Sequence, residues 1–260
     1  MKAGYWIGFA IVLWLVLVIA TIPAGWAVYV LQQVLPNWRV AAADIDGSIW
    51  YGNVGKAQLI IDDKPLTLNE FKWQSHLSSL LWLEPCISLS ARSHSPPHSH
   101  RQSLSVNVCV SLLSGRLQLR HGQANISVSA LEPWLLMRLR GNASVSLKSM
   151  IISRDGVKHI DGALTWRQAQ FHNSRHWIDL GELQVQLADD RAGGLRGQLT
   201  DVQQGPIAAT LTIEAPKQGG LSVSGKVVPK ATAQQAIHET LRIIGKLDSN
   251  DGYLIDWHSR

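Results

Sequence analysis

From Tyr5 to Leu31 the chain carries no charged residue, and only Gly8, Thr21, Pro23 and Gly25 interrupt its apolar side chains. A helix over Trp6–Ala27 would be about 33 Å long at about 1.5 Å per residue, enough to cross a hydrocarbon core about 30 Å thick. Trp6 stands near one end and Trp26 and Tyr29 near the other, where amphipathic rings favour the membrane interface. Beyond this run the pattern changes to a period of two. Ile87, Leu89 and Ala91 alternate with Cys86, Ser88 and Ser90, and Leu104, Val106, Val108 and Val110 alternate with Ser103, Ser105, Asn107 and Cys109. The alternation continues at Leu117–Leu119, Ala124–Val128, Ala143–Leu147, Leu183–Leu187, Ile207–Ile213 and Leu221–Val227. Such segments predict strands with one buried face, as in an antiparallel sheet. Glycines at 115, 122, 141, 156, 193–194 and 219–220 predict the breaks between them. Helical spacing is confined to Leu77–Leu83, Pro133–Leu139 and Ala233–Leu247, the last placing Ile237, Leu241 and Ile244 on one stripe. The expected architecture is mainly β: a single N-terminal transmembrane helix, then an antiparallel, curved and twisted β-sheet domain with a few short helices.

Composition agrees with this division. Hydrophobic residues make up 46% of the 260 and charged residues 17%, below the quarter or so usual in soluble domains, and the excess sits in the leading run. This excludes a polytopic membrane protein and a disordered chain. A cleaved signal peptide is the competing interpretation of the leader, but its apolar region would span about 7–15 residues, and this run is much longer. Residues 1–35 are therefore expected to form a short tail and an anchor, and 36–260 a β-rich domain. Lys2 precedes the helix, whereas Arg39, Asp44 and Asp46 follow it. That balance predicts a single-pass protein with its N-terminus inside and its body beyond the membrane. The net charge of +5 is spread along the chain, and without a basic stripe or recognition module nucleic acid is not an expected partner.

Cys86 and Cys109 both fall on the polar sides of their strands. If they face each other, the hairpin centre lies between Pro97 and His98, within Ser-Pro-Pro-His. The same register sets Ile87 against Val108, Leu89 against Val106 and Ala91 against Leu104. Turn, pattern and thiols agree, which predicts a cross-strand disulfide suited to an oxidising compartment. A second internal signal is the echo between Ile45-Asp-Gly-Ser-Ile-Trp50 and Ile160-Asp-Gly-Ala-Leu-Thr-Trp166. It suggests two similar halves, at about 40–150 and 158–260.

Gly47-Ser-Ile-Trp-Tyr-Gly52, close behind a single apolar helix, resembles the N component of bacterial type II secretion systems. The likeness continues through Leu68-Asn-Glu-Phe-Lys-Trp73, Gly115-Arg-Leu-Gln-Leu119, Gly162–Trp166, Leu221–Gly225 and Tyr253–Trp257. The His-rich stretch at 94–101 departs from it. The resemblance implies an accessory, non-enzymatic subunit that takes part in export of folded periplasmic proteins across the outer membrane. Its expected partners are inner-membrane platform components or the secretin. The family's likeness to lipid-bridging proteins with curved β-sheets implies an alternative, a periplasmic lipid-binding module.

Candidate chemistry is sparse. His94, His98 and His100 could chelate an ion, but no nearby cysteine or carboxylate completes a tetrahedral set, so no metal site and no cofactor is expected. No Gly-x-Ser-x-Gly, His-Glu-x-x-His or Ser-x-x-Lys motif occurs. A Ser/His/Asp triad assembled in three dimensions would leave no such signature. Of the tryptophans behind the leader, Trp50 and Trp166 are the candidates for an interaction surface.

Overall fold

A computed structural model describes residues 2–26, 29, 38–61, 64–93, 102–132, 138–153, 156–173, 176–190, 194–202, 205–216, 220–248 and 252–258. The chain divides into two compact units, Met1–Ser93 and His94–Arg260.

The first unit begins with helix α1, Lys2–Ala20, whose Trp6, Phe9 and Trp14 are exposed. Among the described residues no helix is long and apolar enough to cross a membrane, so the expected anchor is not supplied by the structure itself. Four strands follow: β1 (Trp38–Gly47), β2 (Tyr51–Ile61), β3 (Lys64–His76) and, after a 3-10 helix at Leu77–Trp82, β4 (Cys86–Ser93). Each pairs antiparallel with the next. Registers Ile45↔Val54, Val54↔Phe71 and Trp73↔Leu89 put apolar residues on one face, while Asn53, Lys72 and Gln74 are exposed on the other. That alternation is the pleat of a strand expressed in sequence.

The second unit carries β5 (Gln102–Ser111), β6 (Arg116–Ser127), β7 (Leu139–Ser153), β8 (Gly156–His172), β9 (Trp177–Asp189), β10 (Leu195–Asp201), β11 (Ile207–Ala215) and β12 (Ser222–Pro229). Helix α2 (Gln235–Ile244) runs into β13 (Gly245–Leu247), and β14 (Tyr253–His258) closes the described chain. These strands neighbour one another in chain order as far as β12, which is followed by β14 and then β13.

Two cross-strand rows run over the apolar face of this unit. One passes through Ala124, Val145, Leu164, Val185, Leu199 and Leu211. The other alternates small and large: Gly122, Leu147, Gly162, Leu187, Gly197, Ile213. A Cβ on Gly122 would lie 3.1 Å from the Leu147 Cβ, and one on Gly162 3.2 Å from its Cδ1. The leucine therefore occupies the space its glycine neighbours leave. At one end α2 covers the face with Ile237 and Leu241, one helical turn apart. Beneath them Ile178, Leu183, Ile207, Ala209, Val227 and Tyr253 form the core.

The structure departs from the expected elements at three glycines. Gly122 does not break a strand: β6 runs through it, and the interruption is a bulge at His121, whose φ is +52°. Gly141 likewise lies inside β7, beside another register shift. Helix α2 stops at Ile244 because Gly245 is extended and pairs with Ile255, turning 245–247 into a strand. Val128 opens a 3-10 helix instead of ending a strand. The helix expected at 133–139 falls on residues 133–137, outside the described residues, and Leu139 begins β7.

Candidate functional site

The Gly47–Gly52 segment forms the tight corner between β1 and β2. Gly47 has a φ of +105°, and a Cβ there would meet the Tyr51 carbonyl oxygen at 2.4 Å, so the turn requires glycine. The Ser48 N–H donates to the Tyr51 carbonyl at 2.8 Å, and the Ser48 Oγ accepts from the Trp50 N–H at 3.2 Å. From β3, the Trp73 Nε1–H donates to the Ser48 carbonyl at 3.1 Å, and the Ser75 N–H donates to the Trp50 carbonyl at 2.6 Å. The Trp73 ring lies across Gly52, where a Cβ would come within 2.3 Å of ring carbon Cζ2. Gly52 and Trp73 are direct cross-strand partners, so the small residue makes room for the large one. The Ile49 N–H donates to the Ile22 carbonyl at 3.1 Å, and Pro23 bridges to Ser48. The corner thus fastens the chain just beyond α1 to the β1–β2 turn, with Ala24 buried and Tyr51 exposed.

Trp166 takes part in a comparable arrangement in the second unit. Its Nε1–H donates to the Arg140 carbonyl at 3.0 Å. Gly141, with a φ of +113°, leaves space that a Cβ would close to 2.7 Å from Nε1. The Arg140 guanidinium stands 3.8 Å from the centre of the Trp177 ring, a cation–π contact, and His172 meets the same ring edge-on at 5.0 Å. Trp50 and Trp166 are both half-buried. Trp50 contributes its main chain to the first corner, and Trp166 packs against the core of the second unit. The two copies of the Ile-Asp-Gly echo have different roles, since Gly47 makes a turn whereas Gly162 sits within β8.

One cluster had no motif to announce it. The Ser149 Oγ lies 2.9 Å from the His159 Nε2, and the His159 Nδ1 lies 2.7 Å from the Asp189 Oδ2. The Ile160 N–H donates to the other Asp189 oxygen. Partial burial acts to raise the Asp189 carboxyl, but the hydrogen bonds from His159 and Ile160 and the His159 charge outweigh it, so its pKa lies below the ordinary aspartate value. Residues from β7, β8 and β9 thus have the order of contacts of a serine–histidine–aspartate relay. Acyl transfer also requires donors aimed at a developing oxyanion. Here the Ile160 N–H is spent on Asp189, and the His159 and Asp189 side chains are 40% and 37% exposed. The geometry as it stands is that of a polar tie across three strands. Its trace in the sequence is Ser153-Arg-Asp-Gly156, a turn signal that sets Ser149 and His159 on opposite arms of a hairpin.

Cys86 and Cys109 are disulfide-bonded, as their alternation predicts. Residues 94–101, which include the expected hairpin centre and the histidine cluster, lie outside the described residues, as does Trp134. Among the described residues no group of three or more His, Cys, Asp or Glu is placed to hold a metal.

These features define a β-sheet protein whose glycine corner and tryptophan clasps serve assembly of the sheet. The family model of Type II secretion system (T2SS), protein N, matches residues 38–256, and the chain belongs to that family, an accessory component of the secretion machinery. Membership implies association with the membrane-bound machine and interaction with its other components. No curated protein and no solved structure shows a significant match.

Proposed function

We propose that the chain is a non-enzymatic accessory subunit of type II secretion, anchored in the inner membrane by residues 1–35 and exposing residues 36–260 to the periplasm. It acts by contacts with inner-membrane platform components or the secretin. The observation that carries this reading is the corner at Gly47–Gly52. Main-chain bonds at Ile22 and Pro23 join the chain just beyond α1 to the first hairpin, which suits a hairpin held at a fixed attitude to its tether. The uncharged leader, the charges on either side of it and a disulfide appropriate to an oxidising compartment support the same topology. Trp50, beside exposed Tyr51, and the Trp166–Trp177 cluster supply candidate contact surfaces.

Deletion of the chain, under conditions in which the secretion system is expressed, should retain cargo enzymes in the periplasm. Trp50→Ala should reduce export without lowering the amount of protein. Normal export by the deletion strain would refute the proposal. A second reading, an acyl chain held along the sheet, is supported by the half-exposed aliphatic row from Val145 to Leu211. Photocrosslinkers at Val106 and Leu211 should then capture lipid, and their failure to do so would remove it.

A further inference from the structure

Just beyond α1 the Thr21 N–H donates to the Leu17 carbonyl at 3.1 Å, and the Thr21 hydroxyl donates to the same oxygen at 2.9 Å. These bonds close the last turn of the helix. The Ile22 carbonyl then accepts from the Ile49 N–H, and Pro23 bridges to Ser48. The corner brings the Asp46 carboxylate and the Ser48 hydroxyl to this point, and such groups are costly to move from water into hydrocarbon. If residues 1–35 anchor the chain, the leader has therefore left the apolar layer by Pro23.

A series of bonds carries that level across one end of the first unit's sheet. From the corner, the Trp50 carbonyl accepts from the Ser75 N–H at 2.6 Å. His76, next along β3, pairs with Cys86, and its carbonyl accepts from the Ser79 hydroxyl. Ser79 accepts twice in turn, its carbonyl from the Glu84 N–H at 3.2 Å and its Oγ from the Cys86 N–H at 2.9 Å. The 3-10 helix at Leu77–Trp82 is thereby held to the same end of the sheet as the corner. Its last residue, Trp82, is nevertheless 82% exposed, and Leu83 is 47% exposed. Tyr51 in the corner is 66% exposed, and Trp26, whose N–H donates to the Pro23 carbonyl, is 63% exposed. Exposed rings with a polar tip, grouped where an apolar leader meets a folded unit, have the chemistry of the boundary between headgroups and acyl chains. The Glu84 carboxylate beside Leu83 sets the depth, since it is compatible with the headgroup layer, about 5–7 Å thick, and not with hydrocarbon.

We infer that this end of the first unit is seated on the periplasmic surface of the bilayer, with Tyr51, Trp82 and Leu83 in the headgroup layer beside Trp26. The inference rests on the anchoring reading and goes beyond it, because a tether alone leaves the first unit free to tilt above the membrane.

Spin labels on the full chain, in vesicles of phosphatidylethanolamine and phosphatidylglycerol, test the seat. Depth is given by collisions with oxygen, which concentrates among acyl chains, relative to collisions with a nickel chelate, which stays in water. The labels are carried by Ile11→Cys, Tyr51→Cys, Trp82→Cys and Arg92→Cys in separate proteins. The native cysteines are disulfide-bonded and take none. All four positions are exposed, so replacement leaves the fold intact, and Arg92 stands about 20 Å along β4 from Cys86. The label at 11 should lie in hydrocarbon, those at 51 and 82 at headgroup depth, and that at 92 in water. With 11 in hydrocarbon, a label at 51 or 82 as wet as that at 92 would overturn the seat and leave the anchor standing. A label at 82 shielded from both reagents would overturn it in favour of contact with protein. A wet label at 11 would overturn the anchor and the seat together.

Discussion

Two tryptophans, Trp73 in the first unit and Trp166 in the second, use the same device in different surroundings. Each lays its ring over a glycine of the neighbouring strand and donates its indole N–H to a main-chain carbonyl, at 3.1 Å for Ser48 and 3.0 Å for Arg140. In the first unit the hydrophobic side chains described as buried are Ala24, Val54 and Ala91. Trp166 instead packs against a cluster roofed by a helix and containing Ile178, Leu183, Ile207, Val227, Ile237 and Leu241. The Trp73 clasp closes a turn, whereas the Trp166 clasp stands beside a core and adds to its burial. The first unit should therefore be the more sensitive to its glycines, and the second to its aliphatics.

The largest effect should come from removing the roof. Leu241→Ala deletes a buried side chain that only a helix face supports, and should cost the second unit about 3 kcal/mol in denaturant unfolding. Limited proteolysis should show the first unit's cleavage pattern unchanged. If both units lose protection together, the division between them is wrong. Close to this in size, Cys86→Ser with Cys109→Ser should cost about 3 kcal/mol, the loop-closure entropy of the unfolded chain, and reduction of the wild type should reproduce the loss.

A smaller change sharpens the contrast between the clasps. Gly52→Ala should destabilise by about 1–3 kcal/mol, because its Cβ meets both the Trp73 ring and the Asp46 carbonyl at 2.6 Å. Adding Trp73→Ala should recover only part of that, since the carbonyl contact remains. Full recovery would mean that the ring alone sets the requirement for glycine. The smallest effect belongs to the Ser149–His159–Asp189 tie. Its aspartate has a lowered native pKa, so its contribution is present above about pH 4, where an unfolded aspartate is ionised. It is lost as pH falls through the native value. Asp189→Asn should flatten thermal stability against pH in that acid range and cost under about 1 kcal/mol at neutral pH, as for other exposed pairs. An unchanged acid limb would show that the tie contributes nothing to stability.

Much of the sheet was legible because its alternation is uninterrupted. Cys86–Ala91, Ser103–Val110 and Ile207–Ile213 became β4, β5 and β11, although in β5 Cys109, expected on the polar side, is buried while Leu104 and Val110 are exposed. The errors arose where glycine has two meanings. At Gly122 and Gly141 it accompanies a bulge inside a strand and makes space for Leu147 or Trp166, but in sequence it looks like the end of an element. The site was less legible than the fold. Trp50 and Trp166 end the two copies of the Ile-Asp-Gly echo, yet nothing local to Trp73 says that its ring will close the Ser48 turn. Ser149, His159 and Asp189 are ordinary residues until strand register brings them together.

By itself the sequence determined the class of the protein: an uncharged leader, period-two segments behind it, two cysteines in phase and a family segment at Gly47–Gly52. These are local or periodic properties, and a pattern along one chain is enough to state them. Tertiary structure alone decided which glycine faces which ring, which hydroxyl reaches which imidazole, and that basic side chains of α2 would line a cavity with Tyr253 from β14. Those relations depend on register and on a helix returning across the sheet, and each joins residues whose separation in the chain carries no signal of their contact.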